Sequence, residues 1–581
     1  MVTYADRPWV KFYDTGVPAT LNYPQIPLHT YLQETARNMP NHTALITSAR
    51  VPKLGRLAAR LTYSELDRLS DELAAGLVAL GLKKGESVAL VLPNSVQFVV
   101  SYYAILKAGG VVAATNPTYP ADKMQYQLDD CDAPICITLT PFYNLIKAVQ
   151  PQTKIKHVIA TNIKEYLPPI ARILFSLAKE KKQGHYLESV AEGDVWLQDL
   201  LKRHSGQKSN VEVSADDLCL FQYTGGTTGV SKAAMATHAN LVANTLQQEA
   251  FLGTNGRTEP DTFLGAIPFF HVYGMVSVIT FASKVGATIA LVPNARDIDD
   301  VIDVINTFKP TLFHGVPALY NAINQHPKVV GGEVNLTSLR ASISGSAPLP
   351  PSVKNEFERV SGGVLREGFG MSETPTVTHV NPLLGENRAG SIGLPVPDTD
   401  CRIVSLDDGR TIMPVGEIGE LIMTGPQIMK GYYKMPTETT NTLRELEGKL
   451  WVYSGDIARM DEDGYFYIVD RKKDMVIVGG FNVYPTQIEK VLRMHDNVLE
   501  AAVAGIPHPT KEGLEALKAW IVVKPGTTVS EDELKALCKK HLAPHEVPTR
   551  YAFIPELPKT AVGKTLRREL VRVERERQQQ A

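Results

Sequence analysis

The stretch Leu218-Cys219-Leu220-Phe221-Gln222-Tyr223-Thr224-Gly225-Gly226-Thr227-Thr228-Gly229-Val230-Ser231-Lys232 passes from an apolar run into a glycine–threonine loop and ends on a lysine. Leu218 to Gln222 reads as a buried strand, and a helical pattern begins near His238 and continues to Glu249. Glycines in such a loop admit close backbone approach and unusual dihedrals. The amides and threonine hydroxyls of Thr224 to Gly229 can then face one place, and Lys232 adds positive charge, a combination suited to a polyphosphate. The loop is not a Walker A sequence, which ends in Gly-Lys-Ser/Thr; here Val230-Ser231-Lys232-Ala233 stands instead.

Strand-then-helix patterns surround this loop. Ser87 to Leu92 is an apolar strand closed by Pro93-Asn94, Ser95 to Lys107 a helix, and Gly109-Gly110 precedes the strand Val111 to Ala114. The alternation recurs over 135–149, 262–282, 288–308 and 311–325, which implies parallel sheets covered by helices. Thr262 to Ser283 has the length and apolarity of a membrane span, but Gly265, Pro268, His271 and Gly274 interrupt it, and a buried strand, turn and helix are expected. After about Asp398 strand-like runs at 401–406, 419–424 and 464–469 are joined by short turns, as in an antiparallel or barrel-like unit. A smaller α+β segment follows from Arg471, with helices expected at 485–494 and 530–541.

The chain has 581 residues, about four units at roughly 150 residues each. A 44% apolar and 21% charged composition is that of a globular protein, and a net charge of −2 argues against a surface built for nucleic acid. The five cysteines form no C-x-x-C pair, so neither a zinc site nor a disulfide framework is expected and a reducing compartment fits. Met1 to Gly16 lacks the apolar core of a secretory signal. These readings lead to a cytoplasmic expectation. The segment 164–182 combines Tyr166, Leu167, Ile170, Ile173, Leu174, Phe175 and Leu177 with Arg172, Lys179, Lys181 and Lys182. It reads either as a helix packed on its own domain or as a basic amphipathic helix in peripheral contact with the inner face of a membrane.

Four further clusters carry chemistry. In Phe369-Gly370-Met371-Ser372-Glu373 a hydroxyl stands beside a carboxylate, a pair suited to a phosphate oxygen and magnesium. Tyr453-Ser454-Gly455-Asp456 offers an acceptor for sugar hydroxyls, Val478-Gly479-Gly480-Phe481-Asn482 a narrow backbone passage, and Pro558 to Lys564 a lysine near the C-terminus. Alone, the Ser-Glu pair also begins many helices, the Ser-Gly-Asp stretch is an ordinary turn, the Gly-Gly stretch a β-turn and the terminal lysine a solvated side chain. In this order, with Asp470-Arg471-Lys472-Lys473-Asp474 between them, they resemble the adenylate-forming superfamily of acyl-CoA synthetases, peptide-synthetase adenylation domains and luciferases. The resemblance covers roughly residues 30 to 570 and is greatest to long-chain fatty-acid–CoA ligases.

That resemblance implies an α/β multidomain fold: a body of two helix-covered sheet subdomains and a β-barrel-like subdomain over 1–469, then a small mobile α+β domain over 470–581 hinged at Asp470. It implies that Thr224, Gly225, Gly226, Thr227, Thr228, Gly229, Lys232 and Ser372 meet ATP phosphates, and that Glu373 and Thr228 hold Mg²⁺. Gly345, Ser346, Ala347, Glu367, Gly368, Phe369 and Gly370 correspond to adenine-binding elements, and Asp456 and Arg471 to ribose-holding residues. Lys564, with Glu373, Thr228 and His271, would serve catalysis; His271 has a core histidine as its other reading. Gly479, Gly480 and Phe481 would line the CoA tunnel. Tyr273, Gly274, Met275, Phe313, Gly315 and Pro317, together with His314, are candidates for the acyl pocket, with Gly274 and Gly315 leaving room for a chain. Ala233-Ala234 stands where the family commonly has Gly after the loop lysine, and the added methyl would restrict the loop slightly.

The implied reaction is ATP-dependent fatty-acid–CoA ligation, with fatty acid, ATP and CoA as partners, no nucleic acid, and a monomer or homodimer. The competing readings are an aryl- or other acid–CoA ligase, an acyl-AMP ligase loading a carrier protein, and a non-catalytic nucleotide- or lipid-binding scaffold.

Overall fold

The computed structural model describes residues 2–224, 231–253, 259–478, 481–507, 515–560 and 565–580. Two large sheets face each other across one apolar layer. The first runs, strand by strand, Gly431–Tyr432, Ala233–Thr237, Leu218–Tyr223, Val111–Ala114, Ser87–Val91, Ile135–Leu139, His157–Thr161 and Val195–Trp196. The second runs Leu394–Pro395, Thr376–Val380, Val364–Met371, Ala341–Ser344, Leu312–Gly315, Thr262–Gly265, Thr288–Leu291, Thr43–Val51 and Gly55–Thr62. The strand-and-helix stretches expected from the sequence form parallel strands in both sheets.

The helix Val96–Lys107 lies between the sheets with all of its residues buried. Ser95 starts it by accepting the Phe98 amide hydrogen at 3.2 Å. Such a helix is apolar all round because both of its sides are core. The charge at its end, Lys107, is neutralised by Asp67 at 2.6 Å and Asp71 at 2.7 Å. The outer face of the first sheet is covered by Ala121–Asp130 and Thr140–Val149, and that of the second by Ile298–Phe308, Pro317–Asn324 and Pro351–Ser361. Thr262–Gly265 and the helical run from Val272 to Val285, π-helical over Met275–Thr280, are buried as the interruptions in their sequence predict. Among the described residues no helix is long and apolar enough to cross a membrane. All five cysteines are free and buried.

A five-stranded antiparallel sheet follows, built from Asp400–Val404, Gly419–Thr424, Leu443–Leu446, Lys449–Met460 and Phe466–Arg471. Beyond it come the hairpin Val476–Val478/Phe481–Val483 and a three-stranded sheet of Val498–Pro507, Glu515–Val523 and Arg550–Phe553 with helices Pro485–Leu492, Glu531–His541 and Arg567–Gln580.

Ser372 and Glu373 sit at the tip of a hairpin between Val364–Met371 and Thr376–Val380, not at a helix start. The hairpin is irregular between Phe369 and Gly370, and a Cβ on Gly370 would lie 1.4 Å from the Thr376 carbonyl oxygen. No side-chain movement relieves a clash with backbone. Gly370→Ala is therefore expected to lower unfolding stability by about 2–4 kcal/mol, read as the urea midpoint. An unchanged midpoint would show that the hairpin opens without cost.

Candidate active site

The strands Leu218–Tyr223 and Ala233–Thr237 pair antiparallel, so the glycine–threonine loop is the connection of a hairpin. Its neck is closed by the Thr224 amide donating to the Lys232 carbonyl at 2.8 Å and the Ser231 hydroxyl donating to the Thr224 carbonyl at 2.6 Å. Gly225, Gly226, Thr227, Thr228 and Gly229 lie outside the described residues, as do Gly479, Gly480 and Lys564. The methyls of Ala233 and Ala234 are buried below the neck, Ala234 against Met429, Tyr432, Leu443 and Val452. They pack the ladder; the loop that they were expected to restrict lies outside the described residues.

The outer neighbour of Ala233–Thr237 is the short strand Gly431–Tyr432, with Tyr432 opposite Ala234. This pairing brings three distant parts of the chain together. The Tyr432 hydroxyl donates to Glu373 Oε1 at 2.5 Å, and the Lys232 ammonium lies 5.1 Å from the Tyr432 ring centroid. The Met429 amide donates to the Glu373 carbonyl at 3.0 Å and fixes the hairpin tip. Burial and the adjacent Glu373 carboxylate push the Tyr432 hydroxyl far above its ordinary range, so it acts as a donor. Tyr432 had no local sequence signal.

The adenine-element residues occupy neighbouring strand ends. Ser344 is in register with Glu367 on parallel strands, so Gly345-Ser346-Ala347 and Glu367 to Gly370 leave the sheet side by side. Ligands in open α/β sheets collect at such carboxyl ends. Ser346 holds φ +70°, a left-handed conformation that costs a non-glycine residue about 1–2 kcal/mol. Gly345 closes against the Tyr273 ring, which a Cβ would meet at 3.1 Å.

Asp456 lies within the strand Lys449–Met460, next to Gly455 at φ +68°. Its Oδ1 takes the Arg471 Nε at 2.9 Å, across the register pair Asp456–Arg471. Its Oδ2 is buried and has no hydrogen-bond partner among the described residues. A buried acceptor without a donor is costly, and a ligand hydroxyl is a group able to supply the missing donor. Lys473, which sequence reasoning left unassigned, keeps an exposed surface, yet partial desolvation and the neighbouring Arg471 depress its ammonium, partly offset by Asp474, Asp456 and Glu373.

Asp470 accepts the Thr486 amide at 2.7 Å and the Arg471 amide at 2.7 Å, while Gln487 Nε2 donates to the Val469 carbonyl at 3.2 Å. The junction is thus tied to the first turn of Pro485–Leu492. Arg567 braces the same helix, reaching Asp474 at 2.9 Å, Glu489 at 2.8 Å and Thr486 Oγ1 at 3.1 Å. Phe481 is exposed and stacks on His545 at 4.4 Å.

His271 caps its own helix, its Nδ1 accepting the Tyr273 amide at 3.2 Å. Burial pushes its pKa down to about 4, so the ring is neutral with its proton on Nε2. The acyl-pocket candidates divide between the faces of the second sheet. Tyr273 and Met275 lie in the layer between the sheets, with His314 edge-on to Tyr273 at 5.8 Å. Phe313 lies on the outer face against Tyr320 at 4.7 Å, and Pro317 begins the helix there. The expectation that Gly274 and Gly315 leave room for a chain is corrected. A Cβ on Gly274 would sit 2.4 Å from the Pro268 carbonyl oxygen, and one on Gly315 would meet the Tyr320 ring at 3.0 Å. Both glycines allow close packing.

Desolvation raises the Glu367 carboxyl from 4.5 to about 8, partly offset by a hydrogen bond from the Leu349 backbone and by Lys490. Between these values the folded chain holds a proton that the unfolded chain has released. Stability is therefore present at low pH and falls as pH rises through the window. In Glu367→Gln the loss of Tm from about pH 5 to about pH 8 should be smaller than in the parent. Parallel Tm profiles would refute a protonated Glu367.

This geometry can be set beside known proteins. The chain is 38% identical to a long-chain-fatty-acid–CoA ligase of Bacillus subtilis (strain 168), over 98% of this chain and 99% of that one. It is 34% identical to a long-chain-fatty-acid–CoA ligase of Salmonella typhimurium, over 97% of each. Among solved structures, ATP-bound MatB from Rhodopseudomonas palustris matches with a TM-score of 0.80 at 27% identity, covering 95% of this chain and all of that one. The anthranilate CoA ligase AuaEII in complex with anthranoyl-AMP matches with a TM-score of 0.79 at 25% identity, covering 98% and 99%. The AMP-binding enzyme family matches residues 32–433, its C-terminal domain matches residues 487–564, and the chain belongs to that family.

Proposed function

We propose that this protein is an ATP-dependent, AMP-forming fatty-acid–CoA ligase for long- or medium-chain acids. The meeting of Lys232, Glu373 and Tyr432, with Lys473 within electrostatic range of both Glu373 and Asp456, in a chain similar end to end to named long-chain-fatty-acid–CoA ligases, carries the reading. A carboxylate is a poor acyl donor because oxide is a poor leaving group. Its oxygen attacks the ATP α-phosphorus, pyrophosphate departs, and a mixed anhydride forms. The CoA sulfur then attacks the acyl carbonyl and AMP leaves.

Negative charge builds on phosphate oxygens in the first step, and prepositioned cations lower that barrier most. Lys232 holds its charge at the loop neck beside the ring of Tyr432. Ser372, at the hairpin tip, reaches toward the α-phosphate, and Asp456 with Arg471 holds the ribose. Among the described residues no group of three or more histidines, cysteines or carboxylates could hold a metal. A single carboxylate, Glu373, oriented by Tyr432, would hold a magnesium ion, a cation that takes few carboxylates. Such an ion would add positive charge beside the phosphates.

Lys564 contacts substrate carboxylate and α-phosphate during adenylation, and Gly479-Gly480 serves the pantetheine passage during thioester formation. Residues 470–581 move about Asp470 between these tasks, against the body 1–469. Neutral His271 and the Tyr273, Met275 and His314 face border the acyl end.

Purified protein with ATP, Mg²⁺ and CoA should release pyrophosphate and form acyl-CoA with fatty acids of graded length. Adenylation without CoA-dependent thioester formation would favour a carrier-loading ligase. No acid-dependent AMP formation with fatty or aromatic acids would sink the assignment. Lys564→Ala should lose about 10²–10³ in adenylation yet still convert supplied acyl-AMP to thioester. Equal loss of both half-reactions would refute the two tasks. Tyr432→Phe should raise the half-saturating magnesium concentration for pyrophosphate release about tenfold. An unchanged magnesium requirement would remove Glu373 as the metal carboxylate.

A further inference from the structure

The helix Pro169–Ala178 is placed the wrong way round for a packed surface helix. The sequence allowed a long amphipathic helix over 164–182; the structure forms a 3-10 turn at Ile163–Tyr166 and then ten helical residues, because Pro168 and Pro169 cannot continue a preceding helix. On these ten, Ala171 is buried and Phe175 is half-buried against His185. Ile170, Ile173, Leu174 and Leu177 share one arc of about 100°. They are 54%, 61%, 41% and 81% exposed. The apolar stripe therefore faces away from the protein.

Charge beside the stripe has one sign. Arg172, Lys179, Lys181 and Lys182 are all exposed. From Tyr166 to Leu187 the acidic residue is Glu180, which is buried and held by Lys164 at 2.6 Å and by the Asn162 side-chain amide at 2.9 Å. Glu165, just before, lies within range of Arg172, Lys164 and Lys202. Carboxylates are turned inward and cations outward. Tyr186 is 51% exposed and carries the Lys181 ammonium 4.6 Å from its ring centroid. A tyrosine and snorkelling lysines beside an apolar stripe match the boundary between headgroups and acyl chains.

We propose that Pro169–Ala178 and the basic turn after it dock this protein on a bilayer surface bearing anionic headgroups. The four aliphatic side chains enter the acyl boundary, and Lys179, Lys181 and Lys182 stay at headgroup level. A single short helix holds a bilayer reversibly, so attachment depends on both the apolar and the charged part. The surface is distinct from the site residues named above, and the inference stands independently of the reaction.

The test is co-sedimentation of the full chain with phosphatidylcholine vesicles, with and without phosphatidylglycerol. Binding should require phosphatidylglycerol and weaken as salt is added. Ile173→Glu with Leu177→Glu should lower the vesicle partition coefficient at least about tenfold. Lys179→Gln with Lys181→Gln and Lys182→Gln should lower it by a similar or larger factor. Both variants should keep the parental Tm and the parental rate on a short, water-soluble acid, which separates lost docking from lost folding. Absence of binding to either vesicle, equal binding to both, or unchanged binding of either variant would overturn the proposal. So would a vesicle-free dimer of the parent that dissociates in the Ile173→Glu, Leu177→Glu variant, since the stripe would then belong to a second copy.

Discussion

The site depends on a two-residue ladder. Gly431–Tyr432 adds to the edge of Ala233–Thr237, and that addition decides where the five-stranded sheet stands relative to the phosphate loop. Without it Tyr432 could not reach Glu373 from one side and Lys232 from the other. The two alanines that follow Lys232 belong to this ladder, and their small side chains let the strands and the Met429–Tyr432 cluster close. The short edge strand thereby sets the positions of both the Glu373 carboxylate and the Lys232 ammonium.

Around that ladder the chain uses strand ends and hairpin tips in preference to helix termini. The parallel strands of the second sheet deliver Ser346 and Glu367 side by side, and the hairpin after them delivers Ser372 and Glu373. The antiparallel sheet supplies Asp456 and Arg471 already paired, with one carboxylate oxygen committed and the other not. Backbone fixed by a ladder moves little, so these groups are set before any nucleotide arrives. The segment after Asp470 is instead held at its junction with the body through a few directional hydrogen bonds at Asp470, Thr486 and Arg567.

Much of this was legible in the sequence, for reasons that also mark where legibility stopped. Runs such as Val88–Val91 and Val111–Ala114 are apolar throughout, as strands buried on both faces must be. Lys232, Ser372, Glu373, Asp456 and Arg471 stand in local patterns whose order is informative even when each pattern is weak. Tyr432 stands in no such pattern: one tyrosine among 22, meaningful only through a contact 59 residues away. Gly274 and Gly315 were misread because composition does not distinguish a glycine beside empty space from one pressed on a neighbour. Spacing also cannot tell Phe313 from His314, adjacent residues that a strand sends to opposite faces. The stripe from Ile170 to Leu177 was visible as a period, but its outward direction depends on where Ala171 and Glu180 are buried.

The five buried cysteines have a chemical consequence. An acyl-adenylate is an acylating reagent, and the nucleophile it meets most readily is a thiolate. Burial pushes the Cys131 thiol up to about 12 and raises Cys136, Cys219, Cys401 and Cys538 as well. None of them is ionised at neutral pH, and none is open to solvent. A protein that makes such a reagent to charge an incoming thiol therefore carries no competing thiolate of its own. Burial in the core thus withholds all five thiols from that reagent.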